Sequence, residues 1–548
     1  MYDYPGQLSF AMDVWTFPNH HAFVAWTVHL QYKGKPLVFL LDVVEVPESH
    51  SGNILAREFQ KTLEQYGLTQ KILAFTGDNA TSNDTQTTSL SAANNSFHAK
   101  SHVRCLNHTI NLAAKALIGG VTGNAKDKDA DINMDDEEAD GDGGDDELPE
   151  LESVLDVELS ESECEGDDED EEDNEEESID EVSALTDEEK AVFEREVKKT
   201  REALQKIRGL SFSVIHSTTI ALPEWKRACG RHELKPCLLP RDVKTHWNST
   251  FDLLKFALEY RAAVDDVTGN KDLAYRKYEL TSKEWEILED LKYVLEVFKR
   301  ATLSFSDDHK SSISAVIPAM DKIDNMLSTQ ITSATPHGST TSTGTRVIHA
   351  SIKAGLRLAK NLMNHYYSLT DDSAIYCIAM ARAVIKQASE STTENSTSQP
   401  LSSSNADVFD FMDISVTSHT SPLRDKLSKY LSQALEATKD PLGWWWSKRA
   451  IFPVLSQMAL DYHSVPATST PVERVFSQGR QLLVFTRNRL SGFSVRKLLC
   501  LGSWSRKDLV SDKVIVNAFV EEDERKSKKS VTAVYFMTVH RGVLYPRF

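Results

Sequence analysis

With 548 residues, 40% of them hydrophobic, and a formal net charge of −21, the chain is long enough for roughly two to four cores rather than one. The charge argues against a nucleic-acid partner only until it is located. Residues 131–180 hold 28 Asp and Glu and no Lys or Arg, and without them 61 basic residues face 54 acidic ones, a net of +7. Six cysteines with no CxxC pair exclude a disulfide scaffold and point to a reducing compartment, and no stretch approaches 18 uninterrupted apolar residues, so no membrane partner is expected. The start MYDYPGQLSF has no charged segment followed by an apolar one, as a secretory leader would.

Three early runs, Leu8–Trp15, Ala22–Tyr32 and Pro36–Val46, are rich in β-branched and aromatic residues and separated by Pro, Gly or Asn. They are expected to form an antiparallel meander. A helix is expected from about Gly52 to Tyr66, with Leu55, Phe59, Leu63 and Tyr66 on one stripe. Lys71–Thr76 is then a fourth strand that runs into Gly77-Asp78-Asn79. Around Cys105 a helical period returns at Leu106, Ile110, Ala113, Ala114 and Leu117.

Residues 120–186 fall into Gly, Asp, Glu and Ser, a composition too poor in apolar groups to offset the entropy of ordering. This acidic insert is expected to be disordered. Residues 187–439 have mostly helical periodicity, with Ser/Thr-rich polar segments near 328–346 and 389–421 expected as flexible loops. Residues 440–515 combine aromatic and basic side chains, and 516–548 form a tail without a clear pattern. The order of strands and helices in residues 1–119 is that of a ribonuclease H-like α/β core, a mixed five-stranded sheet with flanking helices.

Three carboxylates stand out. Asp13 interrupts an apolar strand, Asp78 ends another, and Glu473 opens the helix of Thr470-Pro-Val-Glu473. Brought together they would suit divalent metal, which offsets the cost of burying charge. Each also has an ordinary explanation. Asp13 could face solvent from an edge strand, Asp78-Asn79 is common turn and cap chemistry, and Thr470 with Glu473 spells a capping box with proline at the first helical position. The helix after Glu473 would bury Val472, Val475, Phe476, Gly479 and Leu482, leaving Glu473, Ser477 and Arg480 on the opposite edge.

Other residues carry chemistry too. Trp247, in Trp-Asn-Ser-Thr, is either a stacking platform or a core tryptophan at a helix entry capped by Ser249 or Thr250. Cys105 and His108 are spaced i, i+3 and expected to share a helix face as packing near the site, without the spacing of a zinc finger. From Arg474 to Lys507 there are eight basic residues and no acidic one: Arg474, Arg480, Arg487, Arg489, Arg496, Lys497, Arg506 and Lys507. A solvated face is the default for such a run, and phosphate binding is its functional alternative.

Asp13-Val-Trp-Thr, Thr76-Gly-Asp-Asn-Ala80, Arg104-Cys-Leu-Asn-His108, Trp247-Asn-Ser-Thr250, and the block from Asp440-Pro-Leu-Gly-Trp-Trp-Trp446 to Asn488-Arg-Leu490 resemble the transposases of the hAT superfamily. The resemblance implies a ribonuclease H-like core interrupted by a large all-α insertion, with Asp13, Asp78 and Glu473 as a DDE triad holding two Mg2+ (or Mn2+) ions for DNA cleavage and strand transfer. It implies that Trp247 stacks on a flipped base, with His246 where the family usually has arginine; from the basic run itself, Arg474, Arg480, Arg487 and Arg489 are expected to meet DNA. It implies a C-terminal dimerisation region, with Trp444, Trp445, Trp446 and Phe452 as aromatic anchors, and a nuclear location.

Members usually begin with a BED zinc finger. This chain has no cysteine before Cys105, so that module is expected to be missing and recognition of transposon ends is put in question. The leading expectation is a dimerising, DNA-binding, transposon-derived protein. Its rival is a non-catalytic, domesticated dimerising protein whose residues 131–180 bind basic partners.

Overall fold

The computed structural model describes residues 4–16, 21–46, 51–122, 186–243, 247–273, 275–307, 313–333, 347–379, 430, 440–482, 490–511, 537–540 and 543–546. Most of the expected acidic insert and the 389–421 segment lie outside the described residues, as do His246, Arg487 and Arg489. The chain divides into two units. The first comprises Met1–Cys105, Asp307–Pro318 and Thr370–Phe548, and the second comprises Leu106–Ser306 and Ala319–Leu369.

The first unit is built on a mixed five-stranded sheet of order β3-β2-β1-β4-β5, from β1 (Leu8–Thr16), β2 (Ala22–Tyr32), β3 (Lys35–Glu45), β4 (Ile72–Gly77) and β5 (His102–Arg104). The first three form the expected antiparallel meander, and β4 joins β1 and β5 in parallel. β2 and β3 are linked by Lys33-Gly34 alone, at φ 53° and 77°, the two-residue turn whose twist matches that of the strands. Glycine is needed twice over at position 34, because a Cβ there would also lie 2.7 Å from Trp446 Cβ. β1 is therefore central, which removes the edge-strand explanation for Asp13.

One face of the sheet is covered by helix α1 (Gly52–Tyr66), which ends at Gly67 in the left-handed region, the usual helix stop. Phe59 of α1 sits among Phe10, Trp26 and Phe75, with ring centroids 5.3, 5.4 and 5.3 Å away. The other face receives two helices from far along the chain, α13 (Thr470–Leu482) and α14 (Gly492–Arg506). Their Val472, Val475, Phe476, Val495 and Leu499 pack on Ala11, Phe23, Ala25, Leu40 and Val43. A third group, α11 (Pro441–Ser447) and α12 (Pro453–His463), builds a small core of Trp445, Phe452, Leu455, Ala459 and Leu460.

α14 also closes the outer edge of β3. Leu40 N donates to Ser503 Oγ at 3.0 Å, and Leu40 O accepts from Trp504 Nε1 at 2.7 Å. Beside them Arg496 pairs with Asp42, donating through Nε at 2.6 Å and through NH2.

The second unit is all-helical among the described residues: α3 (Leu106–Thr122), α4 (Asp187–His216), α5 (Ala221–Arg231), α6 (Trp247–Glu259), α7 (Arg261–Gly269), α8 (Ser282–Phe305), most of α9 (Val316–Thr332) and α10 (Ala350–Ser368). α4 and α8 begin with full capping boxes, Thr186 with Glu189 and Thr281 with Glu284. α9 continues to Thr332, into the segment expected as a loop from 328. In the tail, Met537–His540 and Val543–Pro546 pair as an antiparallel two-stranded sheet. The fold is thus a ribonuclease H-like α/β core with a large helical insertion.

Candidate active site at the strand ends

The register of β1 and β4 places two of the three carboxylates. Ala11 pairs with Thr76 in the parallel ladder; Asp13 follows two residues later within β1, and Asp78 two residues after Thr76, just past the end of β4. Both therefore lie just past the carboxyl end of the parallel β1–β4 ladder, the end at which open α/β sheets present their ligand sites. Alternation settles the face. Phe10 and Met12 belong to the α1 side, whereas Ala11 belongs to the α13 side, and Asp13 shares its parity with Ala11. Phe75 lies on the α1 side, while Thr76 turns the other way and donates through Oγ1 to Pro466 O at 3.0 Å.

That bond also helps seat the third carboxylate. Pro466 leads into α13, and three residues on, Ser469 N donates to Cys105 Sγ at 3.3 Å. Cys105 follows β5, and its own N–H donates to Gly77 O at 2.8 Å. The Ser469 hydroxyl lies 3.4 Å from both Cys105 Sγ and Glu473 Oε1. So the chain entering α13 is tied to the ends of β4 and β5, and Glu473 emerges one turn later at the same end of the sheet. The helix face is as expected: Val472, Val475, Phe476 and Gly479 are buried, and Glu473, Ser477 and Arg480 are exposed. The helix starts at Thr470 itself, which is buried, so Ser469 rather than Thr470 stands at its entry.

Asp13 and Asp78 are half-buried and held locally. Asp13 Oδ1 accepts from Val14 N at 2.9 Å. Asp78 Oδ1 accepts from Ala80 N at 2.9 Å, the turn bond anticipated for an Asp at this place, and also from the Asn83 amide. Asn83 is buried on α2 (Thr81–Ser91). Trp15, two residues past Asp13, packs on Phe476 at 5.5 Å, and the Arg480 guanidinium lies 5.4 Å from the Trp15 ring centre. The donor set is oxygen-only, which suits a hard divalent cation. As their side chains stand, however, no three His, Cys, Asp or Glu among the described residues form a group that could hold an ion.

Several expected residues behave differently. Arg496 belongs to the buried pair with Asp42, and Arg506 donates to Gln478 Oε1 at 2.5 Å, so the basic run from Arg474 to Lys507 is not one uniform phosphate-binding face. Cys105 precedes α3, so it and His108 do not share a helix face, although Cys105 does pack beside the Glu473 helix. Trp247 is the first residue of α6 and 4% exposed, the burial of a core tryptophan. Ser249 and Thr250 do not cap a helix starting at Phe251. Their hydroxyls donate to Asp242 Oδ1 at 2.8 Å each, and Arg208 Nε donates to the same carboxylate.

Asn83 and Ser469 were not anticipated from the sequence. The only signal for either is a small polar residue five positions after Asp78 or four before Glu473.

Three families match this chain. The hAT family C-terminal dimerisation region matches residues 426–505, the ZBED1 RNase-like domain residues 11–105, and the ZBED1 RNase-like helical domain residues 182–294. Over 533 residues the chain is 23% identical to the "Putative transcriptional regulator tpeD" of Talaromyces stipitatus, covering 93% of this chain and 55% of that protein. Over 83 residues it is 32% identical to the "Putative AC transposase" of Zea mays, covering 15% of this chain and 10% of that protein. The chain thus spans about half the length of the first of these relatives. No helix among the described residues is long and apolar enough to cross a membrane.

Proposed function

We propose that this chain, which matches the hAT dimerisation region and the ZBED1 RNase-like domains, is a transposon-derived, hAT-transposase-like protein that associates with itself, binds DNA and carries a metal-dependent strand-cleavage and strand-transfer site. The observation that supports this reading best is the β1–β4 register: Asp13 lies two residues past Ala11 in β1, on the face that receives the Glu473 helix, and Asp78 two residues past Ala11's partner Thr76, just beyond β4. Asp13, Asp78 and Glu473 would hold Mg2+ or Mn2+. Two such ions, when bound, supply an activated water or 3′-hydroxyl and neutralise the leaving oxygen.

The chain's own residues have distinct parts in this scheme. The backbone bonds to Asp13 and Asp78 hold their carboxyl groups at the strand ends, so little ordering is left for the moment of binding. Glu473, exposed on the first turn of α13 with Ser469 Oγ at 3.4 Å from its Oε1, would complete the set. Arg480, beside Trp15, is placed to meet a phosphate near the carboxylates, and Arg474, Arg487, Arg489 and His246 extend that reading along the DNA. Base stacking by Trp247 requires its ring to be uncovered first, because 96% of its surface is covered here. A nuclear location follows from DNA as substrate and from relatives named as a transposase and a transcriptional regulator. Residues 131–180, with their 28 carboxylates, are suited to basic partners.

The test is a cleavage and strand-transfer assay on purified protein with Mg2+ or Mn2+, beside Glu473→Gln and Asp78→Asn. A drop of about a hundredfold or more in both variants is expected for loss of a metal ligand. Parent-level activity in Glu473→Gln would remove the catalytic assignment. An inactive parent that still binds DNA in a salt-sensitive way would favour the interaction protein instead.

A further inference from the structure

Among the described residues three aromatic side chains are more than half exposed: Tyr32 at 58%, Phe212 at 52% and Phe493 at 63%. Their surroundings differ. Tyr32 closes the β2–β3 hairpin, at the end of the sheet away from Asp13, and Phe212 belongs to the helical unit, where its ring lies 4.1 Å from that of His216. Phe493, in the first turn of α14, stands at the site's end of the sheet.

The course of α14 fixes this position. The helix runs back along β3, so that Ser503 and Trp504 meet Leu40, Arg496 meets Asp42, and Gly492 stands against Glu45, whose carboxylate fills the space that a Cβ would need. Glu45 pairs with Phe23, and Phe23 with Trp15. The start of α14 is therefore level with Trp15, two residues past Asp13, and two strand spacings away, about 10 Å. Alternation puts Asp13, Trp15, Phe23 and Glu45 on one face, the face that α13 and α14 cover.

That face carries cations beside its rings. Lys497, one turn on from Phe493, holds its ammonium 4.3 Å from the Phe493 ring centre, and the Arg480 guanidinium lies 5.4 Å from that of Trp15. Glu45 is the carboxylate here, and it is engaged by His21 and by the amino end of α14, where negative charge is favoured. An open ring with an ammonium at its side suits a nucleotide, whose base stacks while its phosphate meets the cation. A paired base has both faces covered inside the duplex, so only a base out of the stack can use such a ring. Trp247, the stacking residue that the resemblance implies, is covered.

We propose that Phe493 and Lys497 form a stacking site for an unpaired nucleotide of the DNA that enters the carboxylate site. The proposal rests on the DNA-binding reading and adds to it the kind of DNA preferred, one with a short single-stranded stretch. Two strand spacings correspond to roughly three nucleotides at about 3.4 Å each. The unpaired base thus lies beside the phosphate that is cut, not at it.

The experiment measures binding of the full chain, without divalent metal, to a labelled DNA duplex and to the same duplex with a short single-stranded gap that carries the fluorescent base analogue aminopurine. Phe493→Leu keeps the apolar bulk and removes the ring, and Phe493→Trp keeps a ring. The parent is expected to prefer the gapped DNA and to change the aminopurine emission. Phe493→Leu should weaken gapped binding roughly tenfold, as for loss of one stacked base, remove the emission change and leave duplex binding alone, while Phe493→Trp retains both properties. Lys497→Gln should weaken both DNAs and lower the salt dependence by about one counterion. If Phe493→Leu binds gapped DNA like the parent, the inference is overturned and DNA binding stands. A parent that binds neither DNA removes the DNA reading itself. If Phe493→Leu sediments as a smaller species than the parent and both DNAs weaken alike, Phe493 is a contact between copies and the stacking site is overturned.

Discussion

The two faces of the five-stranded sheet are assembled from different distances along the chain. The α1 face is closed mainly by residues within about a hundred positions of the first strand, with Trp504 at its margin, whereas the α13 face is closed by residues more than four hundred positions away. The near face is mainly apolar packing around the Phe59 ring cluster. The far face mixes apolar contact with specific polar bonds: Thr76 to Pro466, Ser469 to Cys105, Arg496 to Asp42. Local packing makes the scaffold, and the remote helices, pinned by single polar contacts, complete the candidate site.

That division can be tested from the near face first. Phe59 is fully buried among three aromatic rings, so Phe59→Ala should cost about 4 kcal/mol through lost transfer energy and a cavity. Denaturant unfolding of the purified chain reads this directly. A loss below about 1 kcal/mol would mean that the near face is not the scaffold.

On the far face the expected effect is somewhat smaller. Asp42 is 1% exposed and Arg496 is its cationic partner. Arg496→Ala leaves a buried carboxylate unpaired, for about 3 kcal/mol. Replacing both, as Asp42→Leu with Arg496→Met, should recover most of that loss, because a well-packed apolar pair avoids the desolvation cost. Failure of the double variant to recover would show that the pair supplies more than charge compensation at the β3 edge.

The same contrast explains what could be read from the sequence. The stripe Leu55, Phe59, Leu63 and the stop at Gly67 are local signals, and α1 occupies the span that they give. The apolar stripe of α13 was also legible, but not the surface that it covers, since periodicity names a face and never its partner. The centrality of β1, which places Asp13 inside the sheet rather than at its rim, depends on β4 inserting beside it after a helix. Local pattern does not encode that. Arg496 looks like any other basic residue in its run until the fold brings Asp42 against it. Trp247 is open in the sequence between stacking platform and core, and the fold buries it. For the candidate site, the three carboxylates were legible as residue types at strand and helix ends, while Asn83 and Ser469, which hold them, were not.

The smallest effect expected concerns the bond between the start of the chain and α12. Asp461 is 7% exposed and accepts from Gln457 Nε2 at 2.8 Å, Tyr4 Oη at 3.1 Å and Gln7 N at 3.1 Å. Burial raises its pKa above the ordinary carboxylate value, the three hydrogen bonds opposing but not cancelling the shift. A raised carboxyl pKa means that the folded state holds the proton more tightly than the unfolded chain does. The associated stability is fully present below the unfolded pKa of about 4 and is lost as pH rises through the folded value. Asp461→Asn cannot ionise, so it carries no such dependence. Melting temperatures of parent and variant, followed from mildly acidic to neutral pH, should therefore diverge, with the parent losing ground to Asp461→Asn as pH rises. Parallel curves would show that Asp461 titrates alike in both states and that its hydrogen bonds, not its burial, decide its charge. In that case the lead-in to β1 would be held by an ordinary ionised carboxylate, and the far assembly would be anchored at this point by charge in the same way as at Asp42.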